Sequence, residues 1–435
     1  MLNYKGKHQV NKNVVKKGGI IMTSTLEKIK RSTVTINELS QFLKRKRLEL
    51  GLKLEDLCSG ICSSSYLSRI ENSIVEVNSS YYQALFERMN INYEELKKER
   101  SRNLYHEIIQ AYFRQNTQLV EELVEHALSS KSYVETEIDL MLLFLNIITH
   151  KFDEARDLII KLDDISENFS STELIFYLYA CALYSYSTNQ NKKAYQQILI
   201  LTAIQYEDTM LECAIYDLAI KVMYMVGQFN QCLKFYYYLK QIAIQPLLNI
   251  SLCINGLIVK TIDSNIDYDL NLCEFNEIVK YLDLENEHNK TIHLYLLGKI
   301  YYDNGLYSDV YHLLINNILS AKISSLLVAV CFHLYDHEVI NNIIKKVTSY
   351  SFTKYDKVYQ DYVKYMVMMF NGESDYTLFN YLRNILFVET YFYDDFLMEQ
   401  FENQYLERAI GSSKYKEGLR YLIRKKQMSK HERLK

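Results

Sequence analysis

The side chains with the strongest claim to chemistry lie close together: Cys58-x3-Cys62, three hydroxyls at Ser63, Ser64 and Ser65, then Tyr66 and Arg69. A Cys-x3-Cys pair is half of a tetrahedral zinc site, and no second Cys/His pair lies near it, so both thiols read as small buried hydrophobes. His333-x3-His337, with Cys331 beside it, places two imidazoles on one helical face, again short of a ligand set and without an HExxH pattern. No GxSxG, P-loop or GxGxxG occurs. The acidic clusters Asp153-Glu154 and Asp283–Glu287 have no pocket signal with them and read as solvated faces. The sequence therefore predicts no catalytic residue, no metal and no cofactor. What remains is recognition chemistry.

The hydroxyls belong to Leu52–Asn72, two short helical stretches around Gly60. The first carries apolar Leu54 and Leu57. The second is capped by Cys62 or Ser63 and turns Tyr66, Leu67 and Ile70 inward. Two such helices suit a major-groove reader: the first crosses the backbone and the N-terminus of the second meets base edges. Small serines permit close approach and donate or accept there, with Arg69 one turn further on. Upstream, Ile36, Leu39, Phe42, Leu43 and Leu50 give an inward helical face, with Lys44-Arg45-Lys46-Arg47 in the last turns and Gly51 as C-cap. The candidate DNA contacts are Lys44, Arg45, Lys53, Ser63, Ser64, Ser65, Tyr66 and Arg69. Ser79–Met89 and Tyr93–Leu96 supply two further helices.

The charge distribution agrees. Residues 1–100 hold 18 of the 50 Lys/Arg and 11 of the 53 Asp/Glu, a net of +7, so the remainder carries −10. A basic head on an acidic body suits a polyanion-binding module joined to a part that does not touch nucleic acid. One proline and 12 glycines in 435 residues exclude turn-rich barrels, sandwiches and dinucleotide-binding folds, and the chain is expected to be all-α. Its length calls for more than one core. The eight cysteines form no paired framework and no apolar run reaches a membrane span, which predicts free thiols in a reducing cytoplasm. Residues 1–33 read as a basic, flexible tail, 34–98 as the DNA-binding domain and 99–435 as a helical repeat domain.

At this point the motif resembles a known family. Arg47-x3-Gly51-Leu52-x4-Leu57 followed by Tyr66-Leu67-Ser68-Arg69-Ile70-Glu71-Asn72 is similar to the XRE, lambda-repressor-like helix-turn-helix. The Gly60-Ile61-Cys62-Ser63 turn resembles the version in Rgg/PlcR-type (RRNPP) peptide-pheromone-sensing regulators. The resemblance implies that Arg47 and Glu71 are structural. The chain departs from it at Leu54, where the family has a Gln that contacts DNA, and Lys53 is the expected substitute.

The body repeats. Thr291–Asn317 places Leu297-Gly298, Tyr301, Gly305, Tyr307 and Val310 at spacings that resemble a tetratricopeptide (TPR) hairpin, with Gly298 letting the helices approach. Weaker copies begin at His150-Lys151-Phe152, Asn191, Gly227-Gln228-Phe229 and Ser413-Lys414-Tyr415, and Asn371-Gly372 marks another turn. Ala155, Ala194 and Cys232 lie 39 and 38 residues apart, and Val310 lies 78 further on. Roughly seven to nine hairpins are expected, stacked into an α-solenoid superhelix with an inner groove. Carrying the TPR register over, the groove presents Asp217, Lys221, Tyr224 and Met225 from one unit and Ile292, Tyr295, Lys299, Tyr302 and Asp303 from another. Of these, Asp217, Lys221, Tyr224, Tyr295, Lys299 and Tyr302 are the candidate peptide contacts, with tyrosine area and Lys/Asp charge suited to an extended peptide.

The resemblance implies a cytoplasmic, homodimeric transcription regulator that binds a two-fold site on double-stranded DNA and is gated by a short signalling peptide in quorum sensing. The alternative is a TPR scaffold that sequesters a protein partner, with a vestigial head. Neither reading involves a membrane.

Overall fold

The computed structural model describes residues 38–100, 102–204, 206, 208–243, 254–256, 258–259, 287–317, 320–334, 337–349, 353–386 and 394–432. The basic tail, the Asp283–Asn286 part of one acidic cluster, Cys253 and Cys273 lie outside the described residues. The chain is all-α, and no strand occurs among the described residues. None of the helices searched is long and apolar enough to cross a membrane.

The head comprises α1 (Glu38–Glu49), α2 (Leu54–Cys58), α3 (Ser64–Glu71), α4 (Ser79–Arg88) and α5 (Tyr93–Arg100). Phe42, Leu43, Leu57, Leu67, Ile70, Leu85, Phe86 and Leu96 form its core. The helical hairpins follow. They are α6 (Leu104–Phe113) with α7 (Thr117–Ser129), α8 (Glu135–Ile148) with α9 (Phe152–Ile165), α10 (Ser171–Ser187) with α11 (Asn191–Leu201), and α12 (Thr209–Met225) with α13 (Phe229–Ile242). Further on come α14 (Glu287–Asp303) with α15 (Tyr307–Leu314), α16 (Ala321–Leu334) with α17 (His337–Thr348), α18 (Lys357–Phe370) with α19 (Asp375–Leu386), and α20 (Asp395–Gly411) with α21 (Tyr415–Glu432). The chain forms two compact units. The first holds the described residues up to Ile147, with Lys151–Ala180 and Ala203–Leu211; the second holds Ile148–His150, Cys181–Thr202 and those from Glu212 onward. The five head helices and the first hairpins thus share one unit.

The punctuation that marks the repeats has one backbone cause. Gln115, His150, Asn189, Gly227, Gly305, Gly372 and Ser413 each end a first helix at positive φ, between 57° and 74°. The next N–H then reaches back five residues, as in Lys151 N to Asn146 O (2.8 Å), Gln190 N to Ser185 O (2.8 Å), Gln228 N to Met223 O (2.8 Å) and Leu306 N to Tyr301 O (2.9 Å). This closes the orphan carbonyls of the helix end and reverses the chain in the fewest residues. The fourth residue of the second helix then meets the first helix and must be small or compact. Val120, Ala155, Ala194, Cys232 and Val310 occupy that place and are fully buried. Gly298 plays the complementary part in α14: a Cβ there would stand 2.8 Å from Leu326 Cδ2 and 3.4 Å from Leu314 Cδ1. In the second unit α14 packs on α16 and α16 on α18, so successive first helices form one continuous layer.

One expectation for α1 fails. Leu50 was assigned to the inward face but is 47% exposed, because the helix ends at Glu49 and Leu50 enters the turn that Gly51 closes at φ 67°.

Gly305 (φ 74°) has nothing within 4 Å of the position a Cβ would take, so substitution there tests backbone conformation alone. Gly305→Val is expected to lower the unfolding free energy by about 1–2 kcal/mol, and Gly305→Asn by less, because Asn tolerates the left-handed region. Urea denaturation of the three proteins checks this.

Candidate nucleic-acid interface and first-helix layer

Helix α3 is set by its own ends. Ser63 adopts an extended conformation and its hydroxyl accepts from Tyr66 N at 3.2 Å. Leu67 and Ile70 then fall on the core, while Ser63, Ser65 and Arg69 are exposed and Ser64 and Tyr66 half-buried. The Tyr66 ring stands edge-on to Tyr81 at 5.5 Å. Gly60 (φ 71°) makes the turn, and Arg88 of α4 fastens it by donating to the carbonyls of Leu57 and Ser59. Lys53 is exposed at the start of α2, where its N–H donates to Asp56 Oδ2 at 3.3 Å.

Behind α3 lies a buried ion pair. Arg47 Nε donates to Glu71 Oε1 at 2.6 Å and its NH2 to Glu71 Oε2 at 2.9 Å, and its NH1 donates to Leu52 O at 2.8 Å. This joins α1, the turn after it and the end of α3. The other members of the basic run also have partners within the chain. Lys44 Nζ donates to Asn72 Oδ1 at 2.9 Å, and Lys46 Nζ to Tyr133 O at 3.0 Å. Arg45 NH1 donates to Glu173 Oε1 at 2.6 Å, with the Glu173 side chain only 3% exposed. Arg100 of α5 pairs with Glu137 at 2.7 Å and lies 5.0 Å from the Phe42 ring centre. A cleft of about 550 Å³ runs beside α3, lined by residues including Lys44, Leu48, Asn72, Ile165 and Phe169. Lys53, Ser63, Ser64, Ser65, Tyr66 and Arg69 thus stay on the outer side of the module, while Arg45 is ion-paired with the buried Glu173 and Lys44 makes an exposed hydrogen bond to Asn72. The sequence offered no sign of this, because Glu173 and Tyr133 lie far along the chain.

All six candidate peptide contacts are buried in the first-helix layer of the second unit. Lys221 Nζ pairs with Asp217 Oδ2 at 2.6 Å, and Asn255 Nδ2 donates to Asp217 Oδ1 at 2.9 Å. Lys299 Nζ meets Asp303 Oδ2 at 2.7 Å and sits 4.5 Å from the Tyr224 ring centre, while Tyr224 OH donates to the same carboxylate at 2.9 Å. Tyr302 OH lies 3.0 Å from His333 Nε2, and burial lowers the His333 pKa. His333 also stacks on Tyr307 at 4.4 Å, whereas His337 packs on Phe370. Among the described residues no three His, Cys, Asp or Glu side chains come together as a metal site would require.

The burial follows from how closely the layer winds within the unit. Near the end of α10, Tyr184 OH approaches Tyr355 OH at 3.4 Å and Asn189 Nδ2 donates to Tyr355 O at 3.1 Å, bringing the start of the unit against residues that precede α18. Deep in the layer Asp394 caps α20, accepting from Leu397 N at 3.3 Å, and also accepts from the hydroxyls of Tyr295 and Tyr359. Burial, and then the Asp394 charge, push both phenols well up. Lys322, at the second position of α16, has its Nζ 4.8, 5.5 and 5.9 Å from the ring centres of Tyr186, Tyr295 and Tyr359. Burial lowers its pKa to about 8, against the weaker opposing pull of Asp394 and Asp356. Sequence reading missed Lys322, although it is the one charge between Ala321 and Phe332.

No protein-family model matches the chain, and no curated protein sequence is significantly similar to it. Solved structures with some likeness include PlcR from Bacillus thuringiensis in complex with the peptide PapR7 and DNA, at 14% identity and a TM-score of 0.34, covering 76% of this chain and 99% of that one. A mutant of PrgX gives 15% identity and a TM-score of 0.28, covering 62% of this chain and 95% of that one. A bacterial peptide pheromone/receptor complex gives 14% identity and a TM-score of 0.28, covering 61% and 97%.

Two outcomes test these buried groups. Glu71→Ala strands the Arg47 guanidinium and is expected to destabilise the protein by about 3 kcal/mol in a thermal or urea melt. Lys322 carries the opposite sign. The unfolded chain keeps the lysine proton up to about 10.5 and the folded chain releases it near 8, so between those values the unfolded state binds more protons and stability rises with pH. Lys322→Met is therefore expected to be more stable than the parent at pH 7, with the gap closing by about 2–3 kcal/mol as the pH approaches 10.

Proposed function

We propose that this chain is a sequence-specific DNA-binding regulator, that it acts as a homodimer on a two-fold DNA site, and that a short peptide held in its first-helix layer controls it. The observation that carries the reading is the exposed first turn of α3. A hydroxyl-rich helix start, capped by Ser63 and flanked by Lys53 and Arg69, projects from a braced helix-turn-helix. Serine hydroxyls at the mouth of a helix can reach base edges, and the helix N-terminus and the two cations favour phosphate. On this reading residues 34–98 bind DNA and residues 99–435 supply sensing and dimerisation. The peptide would exchange its own contacts for the internal pairs at Asp217–Lys221 and Lys299–Asp303, and so select an opened form of the layer.

The decisive experiment is a mobility shift of the full chain on its own upstream DNA across a salt series. Ser64→Ala with Arg69→Ala is expected to abolish the specific shift while leaving the melt unchanged. If Lys53 and Arg69 are the main phosphate contacts, a dimer neutralises about four phosphates and log Kd against log salt has a slope of magnitude about 4. Added contacts from Lys44 and Arg45 would raise it to about 7. Equal binding to unrelated DNA, or none to any, would sink the reading and leave the scaffold alternative.

A further inference from the structure

The last helix, α21, packs by one side and leaves apolar side chains on the next. Gly418 meets α20 closely, since a Cβ on it would stand 3.3 Å from Ala409 Cβ. Tyr421 is buried, with its ring 5.4 Å from that of Tyr405 and its hydroxyl donating to Glu402. Tyr415, Leu419, Leu422 and Ile423, however, are 60%, 59%, 45% and 49% exposed. In five other second helices the eighth residue is buried, at Val124, Ile198, Leu314, Ile344 and Leu382, whereas the eighth residue of α21 is the bare Leu422. With about 3.6 residues per turn, the four bare side chains share one arc of about 100°, so they form a continuous row rather than scattered exposures. Roughly a few hundred Å² of apolar surface in one patch marks an interaction face.

The charge beside the row indicates what covers it. Lys416 and Arg420 are exposed, and by helical register they flank the row on the side opposite Gly418 and Tyr421. Glu417 is answered within the chain, by Arg383 at 3.4 Å. In sequence α21 holds six Lys/Arg against two Glu, a net of +4 within residues 101–435, whose net is −10. Two copies of such a helix set face to face would bring like charges together, which disfavours a second copy of this chain as the cover. An anionic lipid surface answers both features. Its headgroups match the cations, its acyl boundary takes the leucines and the isoleucine, and a tyrosine suits the level between the two.

We propose that α21 docks this protein on an anionic lipid surface, with Tyr415, Leu419, Leu422 and Ile423 in the acyl boundary and Lys416 and Arg420 at the headgroups. The helix lies in the plane of the interface and crosses nothing, and its packed side stays on α20. The inference stands apart from the DNA-binding and peptide readings, because it uses none of their residues.

The test is co-sedimentation of the full chain with vesicles of phosphatidylcholine alone or with one third phosphatidylglycerol. At least tenfold tighter binding to the anionic vesicles is expected. Leu419→Glu with Ile423→Glu should abolish binding to either vesicle, and Lys416→Glu with Arg420→Glu should reduce anionic binding to the neutral level. All four positions are exposed, so the melts should match the parent. Binding that survives Leu419→Glu with Ile423→Glu belongs to another basic part of the chain and overturns the assignment to α21. Equal binding to neutral and anionic vesicles overturns the role of the cations. Binding to neither overturns the lipid surface altogether. Without vesicles, parent and variants are expected to have the same mass by sedimentation velocity. A dimer lost in Leu419→Glu with Ile423→Glu assigns the row to a second copy and overturns this inference.

Discussion

The bidentate pair between Arg47 and Glu71 is the contact on which the placement of α3 depends. Both partners are buried, so the pair persists only because its geometry is good and its remaining donor is used. Arg47 also holds the Leu52 carbonyl, which makes one guanidinium the meeting point of α1, the turn and the far end of α3. Ser63 caps the near end of α3 and Arg88 holds the turn before it. Orientation of this kind, set by a few charge-assisted bonds behind the surface, lets a helix present small polar side chains with little loss of entropy on contact.

The second unit uses charge differently. Its lysines and aspartates are paired mainly within their own helices, at i,i+4, rather than between distant helices. Such pairs satisfy a buried charge without pinning one helix to the next. The long-range ties in the layer are instead phenol hydroxyls converging on Asp303 and Asp394. Each of these hydroxyls donates to a carboxylate, so the bonds are charge-assisted, and parting the helices would leave the buried Asp394 with its backbone N–H bond to Leu397 alone among those described. Lys322 is the exception, with no ion pair among the described residues and its ammonium set among three tyrosine rings.

Much of the fold is legible in the sequence because it is written in local backbone terms. Gly51, Gly60, Gly227, Gly305 and Gly372 all take the positive φ that turns demand, and Ala155, Ala194, Cys232 and Val310 mark where second helices cross first ones. The hairpin at Gln115 is less visible, since a glutamine takes the left-handed turn with neither glycine nor aromatic beside it. Eight hairpins are present among the described residues, within the range the spacing suggests. What could not be read was the fate of charge. The basic run of α1 resembles a phosphate-seeking patch until Glu173 and Tyr133 are brought to it by the fold. The first-helix residues from Asp217 to Tyr302 were placed in the right helices, but their mutual pairing depends on how tightly the layer winds, which no local pattern encodes.

If the head binds DNA as proposed, the pairing within its basic run bears on target search. Arbitrary DNA holds a protein almost entirely through displaced counterions, so the residence time at random sites follows the number of unpaired cations. Of that run Arg45, Lys46 and Arg47 are ion-paired with Glu173, Glu49 and Glu71, while Lys44 keeps its charge beside the neutral Asn72 amide. On the DNA-binding reading proposed above, a head with three of these four cations paired would scan by brief hops rather than long slides. On that reading, restraint at the wrong sequence, built in by three ion pairs, would raise discrimination without adding any contact at the right one.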